Sequence, residues 1–164
     1  MDKSKSCCFT GHRIIKITDY LVERLNETLS KLISNGVTDF YAGGAIGWDT
    51  LCEQEVLRLR ENFPQIKLHL VLPCPPDEQT LKWNVTQKAE YKRILNAADD
   101  VEILSEKYYD GCMQKRNARL VELADCCVCY YDNRSRSGTG QTVRMAENKG
   151  IRIINIAGII GIKG

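Results

Sequence analysis

The sequence predicts an α/β domain built on a doubly wound, mainly parallel sheet with helices on both faces. Short apolar runs alternate with helix-period segments from end to end, as expected when every strand is buried on both sides. The runs are four to seven residues long. Glycine-bearing turns follow three of the runs, at Thr10-Gly11-His12-Arg13, Gly43-Gly44-Ala45-Ile46-Gly47-Trp48-Asp49 and Ser137-Gly138-Thr139-Gly140-Gln141-Thr142.

The strands are predicted at residues 6–10, 37–42, 67–72, 100–104, 126–131 and 151–156. Between the first two, Leu21, Leu25, Leu29, Leu32 and Ile33 recur at helical spacing, and Asn35-Gly36 supplies a C-terminal stop. A second helix begins near Asp49, read as its N-cap, buries Cys52, Val56, Leu59 and Phe63, and stops before Pro64. The third starts after Pro75-Pro76-Asp77 with Leu81, Val85, Ala89 and Leu95 inward. The fourth spans about Cys112 to Ala124, burying Met113, Leu120 and Ala124. A fifth runs from about Gly138 to Lys149 and is ended by Gly150. Residues 157–164 are apolar but broken by glycine and receive no assignment. Right-handed crossovers then give the expected strand order 3-2-1-4-5-6, with a ligand crevice at the carboxyl edge where the order reverses.

A length of 164 residues with 43% hydrophobic content suits one domain, residues 1–164, with its own core. The 23 Lys+Arg against 21 Asp+Glu leave a net charge of +2, too little for an overall nucleic-acid footprint, so a nucleic-acid partner is not favoured. No run approaches the roughly 18 apolar residues that cross a bilayer, and Met1-Asp2-Lys3-Ser4-Lys5 opens no secretory segment. No membrane association and a cytoplasmic location are therefore expected. The eight cysteines raise a zinc reading, but Cys126 and Cys129 lie in a strand, where their side chains point to opposite faces. No metal and no cofactor are predicted, and a homo-oligomer is left open.

A glycine turn between a parallel strand and a helix lets backbone N–H groups approach an anion, with the positive end of the helix behind them. Thr10, Gly11, His12 and Arg13 place a hydroxyl, a permissive backbone, an imidazole and a guanidinium at one strand end. Arg13 suits phosphate or carboxylate because its planar fork binds two oxygens, and His12 suits phosphate binding, base stacking or acid–base work. In the second turn Gly43, Gly44 and Gly47 permit close approach, while Asp49 caps the helix or accepts ribose hydroxyls. This turn follows the second strand and not the first, which argues against a redox dinucleotide site. In the third, Ser137, Gly138, Thr139, Gly140 and Thr142 form a phosphate nest flanked by Arg134, Arg136 and Arg144, but Gln141 stands where a Walker loop has lysine. Arg116, Asn117 and Arg119 enter the same edge, Asp132 follows the fifth strand, and Trp83 and Tyr91 serve either to cover a base or to fill the core.

In combination, Phe9-Thr10-Gly11-His12-Arg13, Gly43-Gly44-Ala45-x-Gly47-x-Asp49, Arg116-Asn117 and Ser137-Gly138-Thr139-Gly140-Gln141-Thr142 resemble the YpsA/YoqJ-like branch of the SLOG superfamily, which joins the DNA-processing protein DprA with the LOG-type phosphoribohydrolases. The resemblance covers nearly the whole chain in order. It implies a Rossmann-like domain that binds or senses a nucleotide or nucleotide-derived small molecule. It also implies two alternatives, an N-glycosidic hydrolase of the LOG type and a DprA-like nucleic-acid module. LOG enzymes carry a P-G-G-x-G-T-x-x-E turn with a catalytic glutamate, and this chain has Arg144 in that region with no matching carboxylate. Glu53, Asp49 and Arg116 are the remaining candidates for chemistry.

Overall fold

The computed structural model describes residues 4–132 and 138–159. Its elements run β1 (Ser6–Gly11), α1 (Asp19–Ser34), β2 (Asp39–Ala42), α2 (Trp48–Arg60), β3 (Lys67–Leu72), α3 (Pro76–Gln79), α4 (Val85–Ala97), β4 (Asp100–Ile103), α5 (Cys112–Leu123), β5 (Cys126–Tyr130), α6 (Gly138–Lys149), β6 (Arg152–Asn155) and α7 (Ile156–Ile159). All six strands join one parallel sheet ordered β4-β3-β2-β1-β5-β6.

The sheet is Rossmann-like, but its order differs from the expected 3-2-1-4-5-6, because β4 lies at the outer edge and β5 takes the place beside β1. Burial explains the difference. β5 reads Cys-Cys-Val-Cys-Tyr and is buried along almost its whole length, whereas β4 carries Asp100 and Glu102 and is largely exposed. A central strand is covered on both faces and has no solvent for a carboxylate, while an edge strand tolerates charge. The chain therefore winds outward from β1 to β4 and returns over α5, which packs across β1, β2 and β3.

Two cores sandwich the sheet. On one face Phe9, Phe40, Leu70 and Val128 meet α1, α2 and α4; on the other Cys8, Val71, Cys127 and Cys129 meet α5 and α6. All eight cysteines are buried thiols, and Cys126 and Cys129 fall on opposite faces as their strand spacing requires. In α1 the buried residues are the anticipated set, Leu21, Leu25, Leu29, Leu32 and Ile33. Thr18 caps that helix by accepting the Leu21 N–H at 3.1 Å.

Two helix assignments change. The segment after Pro75 forms two helices, because Asn84 starts a fresh one: it accepts the Gln87 N–H at 2.8 Å while Gln87 Oε1 accepts the Asn84 N–H at 3.0 Å. The new helix turns Tyr91 and Ile94 inward; Val85 and Ala89 on it, and Leu81 before it, are exposed, against expectation. The N-cap of α2 is Gly47, so Asp49 lies in the first turn and is free to face the carboxyl edge. Among the described residues no helix is long and apolar enough to cross a membrane.

Candidate functional site

The reversal of strand order falls between β1 and β5, and there the carboxyl edge opens into a cavity of about 300 Å³. The end of β1 contributes Phe9 to Arg13, α2 contributes Asp49 with Ala45 just before it, α5 contributes Met113, Arg116 and Asn117, and the first turn of α6 contributes Gly138 and Thr139. Segments far apart in sequence thus supply a polar wall with two guanidiniums and a helix N-terminus.

The β1 turn is shaped by an aromatic side chain that the motif reading passed over. Trp48 is completely buried and lies against Gly11, where a Cβ would stand 2.3 Å from the indole. The Trp48 backbone N–H donates to the His12 carbonyl at 3.1 Å, locking the start of α2 to the turn. Gly11 is thus required by the tryptophan, whatever it does for a ligand. The adjacent His12 is buried, with Nε2 3.0 Å from Asp132 Oδ1 and 3.3 Å from the Asp132 amide nitrogen. A protonated Nε2 donates to the carboxylate and a bare one accepts the N–H, so proton occupancy selects the contact. Arg13 is exposed, and its guanidinium forms no hydrogen bond or ion pair with another described residue.

The Gly43 turn is closed upon itself. The Gly44 N–H donates to Glu53 Oε2 at 3.0 Å and the Ala45 N–H to Asp49 Oδ2 at 3.2 Å, so the protein's own carboxylates occupy two of the donors that such turns present to anions. The Gly43 carbonyl accepts from Arg116 and, at 3.1 Å, from Gln79, whose Oε1 accepts the Tyr91 hydroxyl at 2.8 Å. A Cβ on Gly43 would stand 2.3 Å from the Arg116 guanidinium, so this glycine admits the arginine. Gly43, Gly44, Gly47 and Glu53 therefore lie behind the cavity wall, and Asp49 is the acid that reaches it. Tyr91 is a core residue with a structural hydroxyl.

Burial raises the carboxyl groups of Asp49 and Glu53 above their ordinary range, Glu53 well above, because the Asp49 charge adds to its desolvation. Burial pulls Arg116 down, and the Asp49 charge opposes that shift. A raised acid holds its proton more tightly in the folded protein, so Glu53 contributes stability that is fully present below its unfolded value, about 4.3, and is lost as pH rises through the folded value. Glu53→Gln retains a carbonyl for the Gly44 N–H. It should flatten this decline, seen as a smaller drop in urea midpoint between pH 4.5 and neutrality. An unchanged pH profile would show that Glu53 does not set it.

Arg116 is 4% exposed; its Nε donates to Asn117 Oδ1 at 2.8 Å, which fixes both side chains at the cavity wall. At the α6 start, a Cβ on Gly138 would meet, among the described residues, only Asn117 within 4 Å, at 3.9 Å. Thr139 lines the cavity, whereas the buried Thr142 hydroxyl turns back to the Gly138 carbonyl at 2.9 Å and Gly140 packs on the Tyr131 hydroxyl. Ser137, with Arg134 and Arg136, lies outside the described residues. Arg119 is not brought to the site, since it pairs with Glu102 at 3.3 Å and Glu122 at 2.7 Å. Trp48, Gln79 and Met113 were missed as site-builders; a tryptophan beside a glycine turn was the available signal for the first.

A fully parallel, doubly wound sheet with an arginine-bearing cavity at its switch point defines a Rossmann-like domain of the nucleotide-related kind. Residues 8–156 match the YspA SLOG family, and the chain belongs to that family. The SPbeta prophage-derived protein YoqJ of Bacillus subtilis is 30% identical over 146 residues, 82% of each chain, and a UPF0398 protein of Bacillus pumilus is 28% identical over 131 residues, 79% of this chain and 69% of the relative. Among solved structures, DNA processing protein A of Helicobacter pylori, described with a unique single-stranded DNA binding mode, superposes with a TM-score of 0.65 at 19% identity. The match covers 91% of this chain and 63% of that one. That neighbour overturns the expectation against a nucleic-acid partner. A domain of this fold serves a DNA-binding protein, and a small net charge does not exclude binding, because phosphate contacts depend on local cations.

Proposed function

We propose that the chain binds a nucleotide or nucleotide derivative, with the anionic group held between Arg13, Arg116 and the first turn of α6. The observation that carries this reading is the convergence, in one cavity of about 300 Å³, of the exposed Arg13 guanidinium, the buried one of Arg116 and the first turn of α6 at Gly138 and Thr139. Asp49, which lines the same cavity and feels the charges of Arg116 and Arg13, would accept ribose hydroxyls. The end of a single strand presents the same phosphate chemistry, so a nucleic-acid ligand is a second reading, supported by the DNA-binding protein that shares the fold. A hydrolytic role toward N-glycosidic bonds is supported by Asp49 alone, a carboxyl raised by burial and facing the cavity.

One panel separates these. Nucleoside monophosphates, ADP-ribose, NAD, cyclic nucleotides and a short single-stranded oligonucleotide are tested by thermal shift, with free base assayed after prolonged incubation. A ligand at a hundredfold excess over Kd adds about 2.7 kcal/mol, or about 5–10 °C in a domain of this size. Arg13→Ala should weaken that ligand about ten- to hundredfold with little effect on the unliganded melting temperature, since the exposed side chain makes no hydrogen bond with another described residue. No shift with any member of the panel would end the nucleotide reading. Preference for the oligonucleotide, falling steeply with salt, would establish the second.

A further inference from the structure

A second cleft, of about 380 Å³, adjoins the first, and Arg13 and Met113 line both. Its chemistry is different. Where the first cavity is walled by cations, an acid and a helix start, this one is walled by Leu81, Trp83, Tyr108 and Met113, with Glu78, Gln79 and Lys82 around them. Leu81 is 70% and Tyr108 51% exposed, while Trp83 is partly buried with one side packed on the core.

The aromatic surface is held in place. The Trp83 and Tyr91 rings meet in a T-shaped pair, with centroids 5.3 Å apart at 85°. Tyr91 is fixed by its hydroxyl bond to Gln79, and the Trp83 amide donates to the Thr80 carbonyl at 2.9 Å. The Tyr108 amide donates to Glu78 Oε1 at 2.7 Å, tying that segment to α3. A preorganised indole loses little freedom on accepting a planar partner.

We infer that this cleft is the base subsite of the same binding site: it takes the heteroaromatic base of a nucleotide, stacked on Trp83, while the phosphoribosyl part lies beyond Arg13 in the first cavity. The inference rests on the reading of that cavity as a phosphate site. A phosphoribosyl group is polar and anionic and a base is planar and largely apolar on its faces, and the two clefts divide along that line with a single guanidinium at the junction. Stacking of one base on an aromatic side chain adds about ten- to hundredfold in affinity.

The test compares ribose 5-phosphate with each of the four nucleoside 5′-monophosphates on the full chain, by calorimetry and by tryptophan fluorescence. Trp48 is fully buried, so a ligand-dependent change in emission that disappears in Trp83→Leu reports Trp83. At least one monophosphate should bind ten- to hundredfold more tightly than ribose 5-phosphate and alter that emission. Trp83→Leu and Tyr108→Ala should each reduce the advantage while leaving ribose 5-phosphate affinity unchanged. Tyr108 is exposed enough that its variant keeps the test valid if loss of Trp83 disturbs folding. Equal affinity for sugar phosphate and nucleotides, or an advantage untouched by both variants, would overturn the base subsite and leave the phosphate reading standing. Failure of every probe, ribose 5-phosphate included, would overturn both.

Discussion

Arg116→Met should cost about 3–5 kcal/mol of folding stability and abolish nucleotide-dependent stabilisation. The guanidinium is buried, donates to the Gly43 carbonyl and to Asn117, and opposes the negative charge of Asp49 and Glu53. Methionine fills similar space but leaves the two buried carboxyl groups without their buried cation, while the exposed Arg13 still favours the charge on Asp49. Protonation relieves that conflict, so the deficit should grow with pH: small where both acids are neutral, larger once Asp49 ionises. Urea unfolding at pH 5 and pH 7.5 measures the difference. Adding Glu53→Gln should restore part of the loss at the higher pH, a coupling expected only if the charges interact. A variant as stable as the parent at both pH values would show that the guanidinium does not support this cluster.

Trp48→Ala should cost a comparable 3–5 kcal/mol, through a cavity and not through charge. Its indole is fully buried against Gly11, its Nε1–H donates to the Val128 carbonyl at 3.4 Å, and its ring lies 5.6 Å from that of Tyr130. The residue therefore ties α2 to both strands that flank the switch point. Removing it undermines the β1 turn that carries His12 and Arg13, so ligand affinity should fall with stability. Gly11→Ala attacks the same contact by overpacking, at about 1–3 kcal/mol, and its cost should largely vanish once Trp48 is already alanine. Additive losses in the double variant, measured by denaturant unfolding, would show that the glycine answers to something other than the tryptophan.

These two residues show where sequence reasoning reached and where it stopped. In the sequence Arg116 is a polar side chain entering the carboxyl edge and a candidate for chemistry, but nothing in its position announces that it is buried with its guanidinium on the Gly43 carbonyl. By sequence the glycines of Gly43-Gly44-Ala45-Ile46-Gly47 predict room for a phosphate. In the fold Gly43 makes room for an arginine, and a neighbouring N–H is taken by Glu53. A missing Cβ looks the same in sequence whether the space beside it is filled by a ligand or by another side chain.

What the chain dictates locally is legible along it. Apolar runs and helical spacing placed all six strands and the buried stripe of α1, and strand-to-helix glycines marked the edge where the cavity opens, because periodicity and turn chemistry are properties of neighbouring residues. Strand order is set by competition for burial among distant segments. Asp100 and Glu102 drive β4 to the rim while Cys126 to Cys129 take an interior place beside β1, and that exchange brings the α6 start beside β1. The cavity exists because of that exchange: it needs Arg13, Asp49, Arg116 and Gly138 at one point, and their meeting depends on which strands lie side by side, a long-range consequence of desolvating charge that no short window of sequence contains.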